Sequence, residues 1–192
     1  MDRIDSTQAR EQVEMIERIL AASSQRLCAG GEYFLIWGLY SGLVAVVTQL
    51  VANNQLPIQA FIGVIVLMLG AIAFTIVRSR RQNMQFGRRS VLQREFLNVL
   101  YLTLGLAVVA NLACGNLFPE WGRTAIWSFS EAVVVFYIGM HGNRRAQVAG
   151  IALVVSMAVA NFSPPQIAGY ILAAGMFVGY AGFGLAEMLA RD

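Results

Sequence analysis

The chain has 192 residues, of which 57% are hydrophobic and 13% are charged, and its mean hydropathy is +0.60. Soluble domains carry about 25% charged residues, and a chain of this length cannot hide so much apolar surface from water. The composition therefore excludes an ordinary soluble domain and predicts an integral membrane protein. The net charge of +3 does not indicate a nucleic-acid partner, because the basic residues cluster at the ends of apolar stretches.

The N-terminal region, residues 1–30, is polar and precedes the first apolar stretch. An amphipathic helix is predicted over 6–27, with Val13, Ile16, Leu20 and Leu27 on one stripe. No apolar segment follows a basic start in this region, so we expect no cleavable signal peptide. The helix is too acidic for a typical binder of anionic membranes. We expect it to dock on a basic loop of its own chain, on a second copy or on a partner protein.

Six apolar stretches occupy most of the remaining region, residues 31–192. A membrane-spanning helix needs about 20 mostly apolar residues. The stretches are about 33–52, 58–77, 96–114, 124–140, 146–162 and 166–189. The fourth and fifth are short, and a single re-entrant pair in their place would leave four spans. The sequence predicts an all-α, polytopic membrane bundle of six transmembrane helices, preceded by a cytosolic amphipathic helix.

Arginine supplies all 14 basic residues of the chain, and its distribution predicts the orientation. In the six-span topology, every arginine except Arg123 lies on the side that also holds both termini. The positive-inside rule makes that side cytosolic, as in a multi-pass protein of a bacterial inner membrane. One predicted cytosolic loop carries a basic patch formed by Arg78, Arg80, Arg81, Arg88, Arg89 and Arg94. We expect this patch to bind anionic lipid headgroups.

Ungapped shifts of the sequence align parts of the spans with one another. A shift of 63 places Gly42 on Gly105 and Asn53 on Asn116, and a shift of 45 places Gly105 on Gly150. The alignment has two interpretations, a threefold repeat of hairpins or a chance match between apolar segments of limited alphabet.

Six spans in 192 residues, with prolines in the outer turns and basic inner loops, resemble the HdeD-type membrane proteins associated with acid resistance. The resemblance covers architecture over most of the chain and implies a six-helix bundle with a stress-protective role. The opening of the first span, Gly30-Gly31-Glu32-Tyr33-Phe34, is also similar to uncharacterised bacterial membrane proteins. Neither resemblance carries over a catalytic residue.

Glu131 is the main candidate site residue, because it lies near the middle of the fourth predicted span. An ionisable group at that depth costs about 2.5–3.5 kcal/mol on insertion scales and faces the bundle interior. Desolvation favours its protonated form. Ser130 beside it and Thr103, at similar depth on the third span, complete a predicted proton- or ligand-binding site. The alternative is a neutral carboxyl that hydrogen-bonds to a neighbouring helix and serves only the fold.

Enzyme chemistry is poorly indicated. The single histidine, His141, and two distant cysteines, Cys28 and Cys114, do not have the spacing of a zinc site or of a disulfide. No phosphate-binding loop or nucleophile elbow is found. We therefore expect no catalytic residue, no metal and no cofactor. Glu187, near the end of the last span, is expected to be a surface charge.

Small residues recur at four-residue spacing, as in Gly38 and Gly42 or Gly175 and Gly179. Such spacing lets membrane helices approach closely. It suits either packing within one bundle or the interface of a homo-oligomer.

Two functions from different classes fit these features. The leading interpretation is a non-enzymatic inner-membrane protein that acts in regulation or stress protection through its cytosolic helix and basic patch. The alternative is a small transporter, channel or substrate-binding membrane subunit with Glu131 in its site. A transporter needs polar groups that converge on Glu131, whereas a scaffold needs an isolated carboxyl whose hydrogen bonds are satisfied.

Overall fold

The computed structural model describes residues 12–15, 30–86, 91–114, 117 and 120–190. Within these ranges every regular element is helical and no strand occurs. The helices that follow residue 30 are α1 (Gly31–Ala52), α2 (Ala60–Phe86), α3 (Val91–Cys114), α4 (Glu120–Met140), α5 (Arg144–Asn161) and α6 (Pro165–Leu189). Each of them overlaps one of the six predicted apolar stretches.

Helix α6 is not uniform along its length. It is α-helical over Pro165–Gly175 and Gly182–Leu189, and π-helical over Met176–Ala181 between them. The backbone N–H of Gly182 donates to the carbonyl of Phe177, five residues earlier, which is the bond that defines a π turn. The π turn places its residues in a different angular register from that of an uninterrupted α-helix.

Four of the helices are long and apolar enough to cross a membrane. They comprise Gly31–Ala52, Ala60–Arg81, Arg94–Ala113 and Pro165–Leu189. Helices α4 and α5 fall outside this group: α4 carries Arg123 and Glu131, and α5 begins with Arg144 and Arg145. The described part of the chain is therefore an all-helical protein with four candidate membrane-spanning helices, and six spans are not confirmed.

The core of the bundle consists of α1, α4, α5 and α6. Helix α6 packs against α1 along its whole length and against α5 on another face, while α4 packs on α5 and also contacts α1 and α6. The buried cluster between them includes Val135, Leu153, Met176 and Phe183. Since these four helices share one core, their relative positions set the environment of any side chain that points inward.

Helices α2 and α3 lie at the periphery, where α2 packs on α1 and α3 packs on α4. Only 11% of the apolar window of α2 and 6% of that of α3 is buried. Apolar surface of this extent is compatible with contact with a lipid bilayer. The packing does not confirm a threefold hairpin repeat, because the first helices of the hairpins, α1, α3 and α5, do not occupy equivalent places.

Glycines allow α6 to approach both of its main neighbours. A Cβ on Gly38 of α1 would collide with the backbone of Ala181, and a Cβ on Gly175 would collide with the Ser156 hydroxyl of α5. A Cβ on Gly179 would lie 2.9 Å from the carbonyl oxygen of Ala149. At these positions the small residues serve packing within one bundle, which is the first of the two uses suggested by their spacing.

The N-terminal helix is described over one turn only. Residues 12–15 are helical, and Val13 and Met15 are 54% and 62% exposed. Other residues of the predicted stripe, Ile16, Leu20 and Leu27, lie outside the described ranges. Docking of this helix on the basic patch therefore stays a prediction.

Candidate functional site

Glu131 lies near the middle of α4, a helix of 21 residues that is about 30 Å long at 1.5 Å per residue. Its side chain is 9% exposed and belongs to the buried face of the helix, with Ala132, Val135 and Ile138. The carboxyl therefore points into the bundle rather than toward the periphery. A buried carboxyl requires hydrogen-bond partners, because burial without them costs free energy.

One partner of this carboxyl comes from α1, where the Ser41 hydroxyl hydrogen-bonds to it. The second carboxyl oxygen, Oε2, is buried and has no hydrogen-bond partner among the described residues. An acceptor in that state costs about 1–3 kcal/mol relative to a satisfied one. The carboxyl of Glu131 is thus satisfied on one side only.

A second unsatisfied oxygen lies one turn away on the same helix. Ser128 is fully buried, and its Oγ lacks a hydrogen-bond partner within the part of the chain that the structure describes. Residues three apart on an α-helix share a face, so Ser128 and Glu131 point to the same region. Buried polar atoms without protein partners are commonly satisfied by ordered water or a bound ion. The pair therefore marks a place for a small polar ligand.

Tyr180 brings α6 into the same region. It is buried in the π-helical turn, within electrostatic range of Glu131. Its ring packs edge-on against Phe34 of α1, with 5.3 Å between the ring centroids. Single π turns within α-helices occur frequently at functional sites. Three helices, α1, α4 and α6, therefore contribute polar groups around the Glu131 carboxyl.

Ser130 and Thr103, which were predicted to share a site with Glu131, donate their hydrogen bonds elsewhere. The Ser130 hydroxyl donates to the carbonyl of Ile126 at 3.0 Å, and the Thr103 hydroxyl donates to the carbonyl of Val99 at 2.7 Å. Each of these bonds is within its own helix. No hydrogen bond found in the described ranges joins either hydroxyl to Glu131.

Sequence reasoning missed Ser41, Ser128 and Tyr180. Helical spacing could have identified Ser128, because it lies three residues before Glu131 on the same predicted span. Ser41 and Tyr180 carry no such signal, since their proximity depends on how α1 and α6 cross α4.

One arginine of the basic patch forms an ion pair. Arg78 of α2 contacts Glu32 of α1, with 2.6 Å between Nη2 and Oε1. Three further arginines of the patch, Arg80, Arg81 and Arg94, are exposed. The remaining two, at positions 88 and 89, lie outside the described residues. The exposed arginines are accessible from outside the bundle, whereas Arg78 joins α1 and α2.

The expectation that Glu187 is a surface charge was wrong. Glu187 is only 7% exposed, Asn143 donates to it at 3.1 Å, and Arg145 lies 3.7 Å from its Oε1. The reason is the close packing of α6 on α1, where a Cβ on Gly31 would lie 3.1 Å from the Cβ of Glu187. The absence of a side chain at Gly31 brings the two helices together over the carboxylate.

No known protein family, curated protein or solved structure matches this chain.

Proposed function

We propose that the protein is a small membrane transporter or channel subunit in which Glu131 binds the transported or coupling ion. The observation that carries this proposal is the convergence of Ser41, Ser128 and Tyr180 on a buried carboxyl with an unsatisfied oxygen. An isolated, satisfied carboxyl would have favoured a scaffold.

The proposal places Glu131 at mid-depth in the membrane. Helix α4 contacts α1, α3 and α6, which are three of the four candidate spans, and α5 packs between α4 and α6. Helices held between spanning helices share the same layer, which supports six spans. Glu131 then lies near the centre of the hydrocarbon region, where ionisable groups commonly mark ion pathways and proton relays.

The orientation in this proposal follows the arginines. The end of the bundle that carries Arg78, Arg80, Arg81, Arg144 and Arg145 is assigned to the cytosol, in a bacterial inner membrane. Glu131 is then reached from either side only through the bundle interior. The carboxyl alternates between a protonated state and a ligand-bound state, because an uncompensated charge in a medium of low dielectric constant is strongly disfavoured.

The test is ion flux into liposomes that contain the purified full-length protein. Wild-type protein should conduct or exchange ions when a pH or salt gradient is applied, and Glu131→Gln should abolish that flux. Ser130→Ala is the matched control, because it removes a neighbouring hydroxyl that bonds to its own helix. Flux that is the same in wild-type protein, Glu131→Gln and protein-free liposomes would contradict the proposal.

A second candidate function is regulatory or stress-protective and acts through the N-terminal helix and the basic patch. The 54% exposure of Val13 favours it, since this residue of the predicted apolar stripe is open to contact with protein. Hydrogen exchange in lipid tests this candidate. Slow exchange over 13–20 that becomes fast in Ile16→Ser/Leu20→Ser would support docking. Fast exchange in the unmodified protein would exclude it.

A further inference from the structure

We propose that the ligand of the Glu131 site is a small monovalent cation of the sodium type, bound by oxygen atoms of Glu131, Ser128 and Ser41. This inference rests on the proposed function, because it names the ion that the transporter would bind.

The groups around the site offer oxygen atoms. Oε2 of Glu131 and Oγ of Ser128 are both buried and, among the residues that the structure describes, lack hydrogen-bond partners. The Ser41 hydroxyl already contacts the same carboxyl. Carboxylate and hydroxyl oxygens suit hard cations, whereas softer metals favour nitrogen and sulfur ligands. The donor set therefore fits a hard cation.

The charge of the site selects a monovalent ion. Across the described ranges no three acidic, histidine or cysteine residues gather into a metal-binding group. Among the described residues the other buried acid is Glu187, which is paired with Arg145. One carboxylate balances one positive charge, whereas a divalent ion would leave a net positive charge in the bundle interior at a large desolvation cost.

A proton alone does not account for the geometry. Protonation of Oε2 would create an O–H donor that itself needs an acceptor, and the described bonds include none between Glu131 and Ser128. A bound ion that contacts both oxygens satisfies Oε2 and the Ser128 hydroxyl together.

The direct measurement is thermal unfolding of the purified full-length protein in detergent at constant ionic strength. Sodium chloride should raise Tm in a saturable manner relative to choline chloride, because a ligand that binds only the folded state stabilises it. Lithium should act like sodium, and potassium should act more weakly. Equal responses to sodium and choline would overturn the inference.

Variants separate the site from general salt effects. Glu131→Gln and Ser128→Ala should remove the sodium response, whereas Ser130→Ala should keep it. Ser41→Ala removes one of the proposed ligand oxygens, which also contacts the carboxyl, and it should weaken the apparent sodium affinity at least about tenfold. If Glu131→Gln fails to fold, Ser128→Ala alone tests whether these oxygens bind sodium. A full sodium response in Ser128→Ala would overturn the assignment of this oxygen set.

Failure of this inference differs from failure of the proposed function. Glu131-dependent flux that follows a pH gradient and ignores sodium would overturn the cation assignment and leave the transporter intact. A sodium-dependent Tm without any flux would overturn the transporter and retain the binding site.

Discussion

The backbone N–H of Gly169, in the first turns of α6, donates to the side-chain oxygen of Gln49 at 2.8 Å. The amide nitrogen of Gln49 in turn donates to the carbonyl of Pro165 at 3.1 Å. The two backbone groups belong to residues four apart, so the Gln49 amide bridges one N–H and C=O pair of the α6 ladder. Gln49 is itself buried. Its two hydrogen bonds attach the N-terminal end of α6 to α1.

Gly169→Ala should therefore destabilise the protein. A Cβ at this position would collide with the Gln49 side-chain oxygen and displace the buried amide. Loss of its hydrogen bonds should cost about 1–3 kcal/mol, observed as a lower Tm in detergent. Gly105→Ala on α3 is the matched control, since a Cβ there meets nothing within 4 Å. That control should be neutral or stabilising, by up to about 1 kcal/mol from helix propensity. Equal Tm values for the two variants would contradict the role of Gln49.

The start of α5 contacts the C-terminal end of α6 through Asn143 and Arg145. The stability of the protein should depend more on Asn143 than on Arg145. The Asn143 side chain accepts a hydrogen bond from the backbone N–H of Ala146 and donates to Glu187, at 3.1 Å in both cases. Asn143→Ala removes a helix cap and a partner of a buried carboxylate, and should cost about 1–2 kcal/mol. Arg145 is 56% exposed, so Arg145→Ala should cost at most about 1 kcal/mol. Chemical unfolding of both variants checks the order, and the reverse order would show that the ion pair dominates.

Glu131→Gln should fold in detergent without sodium. A neutral carboxyl loses little when an amide of similar shape replaces it. Ser128→Ala should also keep its stability there, because it removes a buried hydroxyl that lacks a partner among the described residues. The measurement is Tm in choline chloride, with wild-type protein as the reference. Destabilisation of Glu131→Gln by about 3–5 kcal/mol would instead show an ionised carboxylate in a buried pair.

Reporter fusions test the six-span topology. Fusions at positions 54, 118 and 163 should read as external, and fusions at 85, 143 and 192 as cytosolic. The expectation follows from the concentration of arginines on one side of the predicted spans. A cytosolic reading at 118 would contradict the assignment of α3 and α4 as separate spans.

The helices could be predicted from the sequence, because each apolar stretch is bounded by polar or proline-containing turns. The environment of Glu131 could be predicted only in part. Its burial follows from the cost of an exposed charge in lipid, and Ser128 follows from helical spacing. Ser41 and Tyr180 depend on the crossings of α1 and α6 with α4. Those crossings depend on contacts between residues far apart in the chain, which hydropathy does not report.

Hydrogen bonds to neighbouring helices hold α6 on both sides of its π turn. Gln49 forms a hydrogen bond to α6 at Gly169, and Asn143 forms one at Glu187. Tyr180 therefore lies between two anchored points of the helix. Conversion of the π turn to α-helical geometry would shift the local register by one residue, a rotation of about 100°. With both anchors in place, the two ends of α6 cannot rotate by this angle relative to each other. The anchors therefore oppose loss of the π turn and hold Tyr180 in its register beside Glu131.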